Sequence, residues 1–119
     1  MITKTIGGKE YKFNLGFFQR EMAEKELGKT IYQWLKDLKF PGEQATEEEK
    51  QDFGCRLNAS ELVTIFWASL QQKDTKISRE EAAGLMDEYG NFTENANLIW
   101  EIVFADKPKN APKPENIPA

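Results

Sequence analysis

Apolar and polar positions change their period once along this chain. Residues Ile2 to Ile6 and Lys9 to Phe13 are rich in Thr, Ile, Tyr and Phe, side chains that suit a pleated surface. Gly7-Gly8 separates the two runs and tolerates the positive φ angles of a two-residue hairpin turn. A lone hairpin is marginal in water, so residues from about 2 to 14 are predicted to form a β-hairpin packed on the rest of the domain.

From there the period is helical. A first helix is predicted from about Phe17 to Leu27, with Gly28 as the residue that ends it. Thr30 caps a second, in which Ile31, Trp34, Leu35 and Leu38 share a face before Phe40-Pro41-Gly42 stops it. Thr46-Glu47-Glu48-Glu49 reads as a capping box opening a short acidic helix. Asn58-Ala59-Ser60-Glu61 opens the next, with Glu61 reaching back and Ala59, Leu62, Val63, Phe66 and Leu70 along one stripe. Ser78-Arg79-Glu80-Glu81 is a further capping box, ahead of Ala82, Leu85, Met86 and Tyr89. Thr93 is expected to cap a last helix to about Ala105. The expected fold is mainly α: one domain over residues 1–106, with the hairpin packed on about five or six short helices. A mobile Pro/Lys-rich tail is expected over 107–119.

Composition removes much chemistry. The 119 residues include no histidine and one cysteine, Cys55. Histidine bases, Ser-His triads, histidine metal sites and an intrachain disulfide are therefore absent. Cys55 has no base beside it and reads as a buried, inert thiol. No P-loop, GxGxxG or nucleophile elbow occurs. Lys73 to Glu81 resembles half of a calcium loop, but Leu70 and Gln72 fall where carboxylates belong and Thr75 where the sharp turn needs glycine. Glu47-Glu48-Glu49 complements a helix dipole better than it holds magnesium. Neither an enzymatic activity nor a cofactor is expected.

Charge is uneven. The total is −4, yet residues 1–41 carry +3, residues 42–106 carry −9 and residues 107–119 carry +2. This is either an ordinary solvated surface or the means by which the basic front of one copy meets the acidic back of the next, building rings or filaments. Residues 78–103 can be read as a helix-turn-helix, but Thr93 to Ala105 has no Lys or Arg to meet phosphates, so nucleic acid is not an expected partner. Leu62 to Leu70 is too short to span a bilayer, and MITKTIGGKE holds no apolar signal segment. A cytoplasmic protein without a membrane partner is expected.

What remains is surface for a protein partner. On the last helix Ala96, Ile99, Trp100 and Val103 form one stripe flanked by Phe104, while Leu98 and Ile102 lie on another face. A helix apolar nearly all round is buried on two sides. The second side belongs to a partner, or to the hairpin or another helix. Phe17 falls among Arg20, Glu21 and Glu24. Phe17, Trp67, Leu98, Ile102 and Phe104 are the candidate protein-binding residues, and Leu98→Glu or Phe17→Glu is expected to weaken assembly more than folding.

In order and texture the chain resembles the tail assembly chaperones of long, flexible-tailed bacteriophages. The resemblance covers about residues 3 to 106. TIGGKEYKFNLG leads into REMAEKELGKTI; LVTIFWASL is followed by SREEAAGLMDEYG and NANLIWEIV. It implies a mostly helical fold with a small β element. It also implies a protein that keeps the tape-measure protein soluble and promotes tail-tube polymerisation around it, works in the cytoplasm of the infected host, and is absent from the virion. A generic helical adaptor of phage or bacterial origin is the alternative. Family members are often made in two lengths by ribosomal slippage, and Pro108-Lys109-Asn110 is compatible with a slippery codon run.

Overall fold

Gly7 and Gly8 take φ of 59° and 80°, the left-handed pair that a tight turn between twisted strands requires. They join strand β1 (Ile2–Ile6) to strand β2 (Lys9–Phe13), which pair antiparallel with Ile2 opposite Phe13 and Ile6 opposite Lys9. The computed structural model describes residues 1–105; the expected tail lies outside them. Helices come next: α1 (Phe17–Leu27), α2 (Ile31–Leu38), α3 (Glu47–Arg56), α4 (Ala59–Leu70), α5 (Arg79–Tyr89) and α6 (Phe92–Ala105). The fold is mostly helical with an N-terminal hairpin. Among the described residues no helix is long and apolar enough to cross a membrane.

Helix α4 is the centre. Leu62, Ile65, Phe66, Ala68 and Leu70 are buried, and so are Thr64 and Ser69. The two hydroxyls donate back to the carbonyls of Ser60 and Phe66, each at 2.8 Å, so their burial leaves no donor unmet. Around α4 stand α1, α5, α6 and β2. The hairpin docks through Phe13, edge-on to Phe66 at 5.0 Å between ring centres, and the Asn14 amide donates to the Ser69 carbonyl at 2.9 Å. A second aromatic group, Trp34, Phe40, Phe53 and Trp100, joins α2, α3 and α6, with Phe104 on Phe40 at 6.1 Å.

Helix α3 is different, for it has no buried residue. Phe53 turns towards Phe40 and Trp100 at 5.0 and 6.2 Å. Arg56 donates to the carbonyls of Leu38 and Lys39 at 2.7 and 2.8 Å, satisfying groups that the end of α2 leaves open. Cys55 is exposed. The expectation of a buried thiol is thus corrected: α3 lies outside the core and turns only Phe53 and Arg56 inward.

The caps mostly match the sequence expectation. Gly28 ends α1 at φ 72°, Thr30 accepts from the Gln33 amide at 3.0 Å, and Thr46 and Glu49 form the reciprocal box. Three details differ. Asn58 accepts from the amides of Ser60 and Glu61, but Glu61 does not reach back; it accepts from the Trp34 indole at 3.2 Å and lies 3.8 Å from Lys29, because a part-buried indole N–H needs an acceptor. Glu81 meets the Ser78 hydroxyl, not its amide. The last helix is capped by Asn91, whose Oδ1 accepts from the Glu94 amide at 2.8 Å while the Glu94 carboxylate accepts from the Asn91 amide; Thr93 is already inside the helix. On α2, the Gln33 amide group and the Lys29 ammonium hold the Asp37 carboxyl below the usual carboxylate range.

Between α4 and α5 the chain is stitched by one side chain. Gln71 is buried; its Nε2 donates to the carbonyls of Trp67 and Ile77, and its Oε1 accepts from the Ile77 amide. The segment 72–76 leaves and returns at that point, with Gln72 and Thr75 bonded backbone to backbone.

Candidate partner-binding site

The five residues expected to bind a partner do not form one surface. Leu98 is 1% exposed and Ile102 3%. Helix α6 packs on α4, α5 and β1, and Lys4 of β1 reaches Glu101 at 3.3 Å. Both apolar sides of α6 are therefore covered by its own chain, and neither residue is a docking position. This also corrects the expected effect of Leu98→Glu, which now falls on folding. Trp67 is half-buried, its indole N–H on the Ile77 carbonyl at 2.8 Å and its ring beneath Arg79 at 5.7 Å; it fastens the loop before α5. Phe104 is half-buried on Phe40. Only Phe17 stands open, 94% exposed at the first position of α1. One turn on, Arg20 covers the ring of exposed Tyr32 at 5.8 Å, so α1 and α2 present an aromatic and cationic strip.

A groove of about 300 Å³ lies elsewhere. Its walls are Ala59, Leu62 and Val63 of α4, Ala83, Met86 and Asp87 of α5, the Gly90–Asn91 turn, and Phe92 and Asn95 of α6. Ala59 and Ala83 each contribute only a methyl group to the lining. Leu62 and Met86 are buried, Val63 and Ala83 half-buried, and Phe92 and Asp87 exposed at the edge. The lining is apolar but for the edge carboxylate and the amides.

Asn95 is the unusual member. It is only 5% exposed. Its Nδ2 donates to the carbonyls of Met86, Gly90 and Asn91 at 2.8, 3.0 and 2.9 Å, holding the end of α5 to the start of α6. Three carbonyls around one nitrogen fix which way the amide faces. Its Oδ1 has no hydrogen-bond partner among the described residues. A buried acceptor without a donor costs about 1–3 kcal/mol, and natural folds leave few. The groove thus offers apolar walls to an apolar side chain, while the Asn95 Oδ1 is closed off from solvent and out of reach of an incoming donor.

Periodicity did not reveal this groove. It depends on which helices face each other, and Asn95 looks like one more polar residue in a polar turn. The available signal was the position of Asn95, one helical turn past Asn91 and just after Gly90, where a side-chain amide can collect the carbonyls at the end of the preceding helix.

Among the described residues no group of three or more His, Cys, Asp or Glu side chains is placed to hold a metal ion. Comparison with protein-family models, with curated proteins and with solved structures gives no match.

Proposed function

We propose that this chain is a non-enzymatic, protein-binding chaperone of phage tail assembly, which holds apolar helical segments of the tape-measure protein until tail-tube subunits polymerise around it. The observation that carries the reading is the groove between α4, α5 and α6, with its largely apolar lining. The hairpin and helices are also those the resemblance implies. In this reading an apolar side chain of the client rests on Leu62, Val63 and Met86. This is an amphipathic segment laid in a groove. One such contact is small, so each site binds weakly, and many copies along one client supply avidity while still allowing release. The work is done in the cytoplasm of the infected host and the protein is left out of the virion. The outer face of α6 carries Glu94, Asn97 and Glu101, which suits a protein client and not a nucleic acid.

Co-expression with the tape-measure protein tests this. Omitting the chain should leave the client insoluble. Ala59→Glu should fail to rescue it while staying folded, because Ala59 is exposed in the first turn of α4, where an acid is favoured, yet it lines the groove. Full rescue by folded Ala59→Glu would remove the groove from the reading. A client equally soluble without the chain would overturn the chaperone reading and leave the generic adaptor.

A further inference from the structure

We infer that the groove selects client segments carrying a lysine or arginine one helical turn from their apolar anchor, and that Asp87 is the residue that receives the cation. The inference rests on the groove being the client's seat, as proposed above, and adds which segments it takes.

Three observations meet here. First, Asp87 stands exposed at the edge of the groove, and among the described residues its carboxylate has no ion-pair partner. Second, the arginines next to the groove's walls in sequence are committed elsewhere. Arg56, just ahead of α4, donates to the carbonyls of Leu38 and Lys39. Arg79, at the start of α5, donates to the Thr64 hydroxyl at 2.8 Å and lies over the Trp67 ring. It precedes Asp87 by two turns, about 12 Å along the helix, which is beyond a Debye length at ordinary salt. The charge at the groove's edge is therefore negative and unanswered.

Third, the carboxylate sits where its own helix opposes it. The last turn of α5 has no basic residue and carries Asp87 and Glu88. A helix C-terminus bears partial negative charge and favours a cation, so this end of α5 gains from a cation brought from outside. The N-terminal ends of α4 and α6 also border the groove, but they are answered within the chain by Asn58 and by Asn91 with Glu94. The spacing follows from the wall itself. Ala83 and Asp87 lie one turn apart on the same side of α5. A helical client lying along α5 with an apolar side chain seated beside Ala83 brings a residue three or four positions away to Asp87. Phe92, 49% exposed, lines the groove with Asp87 and offers an apolar face to the stem of a lysine or arginine. The wider surface agrees: residues 42–106 carry a net charge of −9, which draws a basic segment in from a distance.

Fluorescence anisotropy on the full chain tests this with two labelled synthetic helical peptides. Both carry the same leucine stripe; one has lysines a turn away from the leucines, and its twin has glutamates there. The wild type should bind the lysine peptide roughly fivefold more tightly than its twin at low salt, the size of an exposed ion pair, and high salt should close the gap. Asp87→Lys should reverse the preference. A cation suits the end of α5, so this variant should melt no lower than wild type by circular dichroism; if it does, Asp87→Asn replaces it and should level the two affinities. Ala59→Gln, which takes up groove volume without adding charge, should weaken both peptides alike. A wild type that binds neither peptide, or a lysine preference undiminished in the folded Asp87 variant, overturns the inference. Equal affinity of the wild type for both peptides, with both weakened in Ala59→Gln, overturns it and leaves the groove as the client's seat. Binding to folded Ala59→Gln as tight as to wild type removes the groove, and the inference with it.

Discussion

Asn95 shows how much one side chain can settle. Its Nδ2 serves three carbonyls at the join of α5 and α6, and no aliphatic residue of the same size could do so. Asn95→Asp keeps the shape but sets a carboxylate against those carbonyls. We expect a loss of ~3 kcal/mol or more at neutral pH, from broken hydrogen bonds and a buried charge. Burial raises the pKa of such an acid in the folded state. The protonated form is then the one the fold prefers, so the variant should regain stability as pH falls and lose it as pH rises through the raised pKa. Thermal melts across that range check the sign. Leu98 and Phe17 form a second contrast. Both are large apolar residues at helix positions, and periodicity treats them alike. Leu98 is buried and Phe17 is open. Leu98→Glu removes a side chain worth about 2–5 kcal/mol and buries a charge, enough to unfold a domain of ordinary stability. Phe17→Glu should change stability by no more than about 0.5 kcal/mol. Equal melting temperatures for the two variants would contradict this placement.

At the scale of elements, α3 and α4 are opposites. Helix α4 buries seven of its twelve residues, whereas α3 buries none and is held by Phe53 and Arg56. Amides of 47–56 should therefore exchange with solvent through local opening at a much lower free energy than those of α4, whose exchange should track global unfolding. Native-state hydrogen exchange reads this directly, and equal protection of the two helices would contradict it. Element boundaries were legible because caps are local: Thr30, Thr46, Asn58, Ser78 and Gly28 each act within one turn of chain. Asn91 and Thr93 are both plausible caps two residues apart, and the structure takes the one whose box with Glu94 closes. What covers each helix was not legible. The apolar surplus of α6 invited a partner, but α5 and β1 supply the cover, and only the three-dimensional arrangement says so. The default of a buried thiol at Cys55 failed for the same reason, since α3 turned out to lie on the outside.

For the whole molecule, the hairpin-and-helix architecture was legible from turn glycines, caps and period, all short-range signals. The candidate site was not, because the groove is a property of three helices and a turn meeting, and two of its walls are alanines that carry no signal of their own. Of the expected binding residues Phe17 alone remains open. The bend between α4 and α5 has a practical reach. Gln71 pins Ile77 with a pair of hydrogen bonds on one side chain, as a neighbouring strand would. The residues between, Lys73 to Lys76, are exposed. Chain added there begins and ends at a fixed point, and doubling a loop's length costs only about 0.6 kcal/mol. That bend is where this protein can carry cargo, such as an epitope, a fluorescent domain or a purification handle, with the core unaware of the passenger.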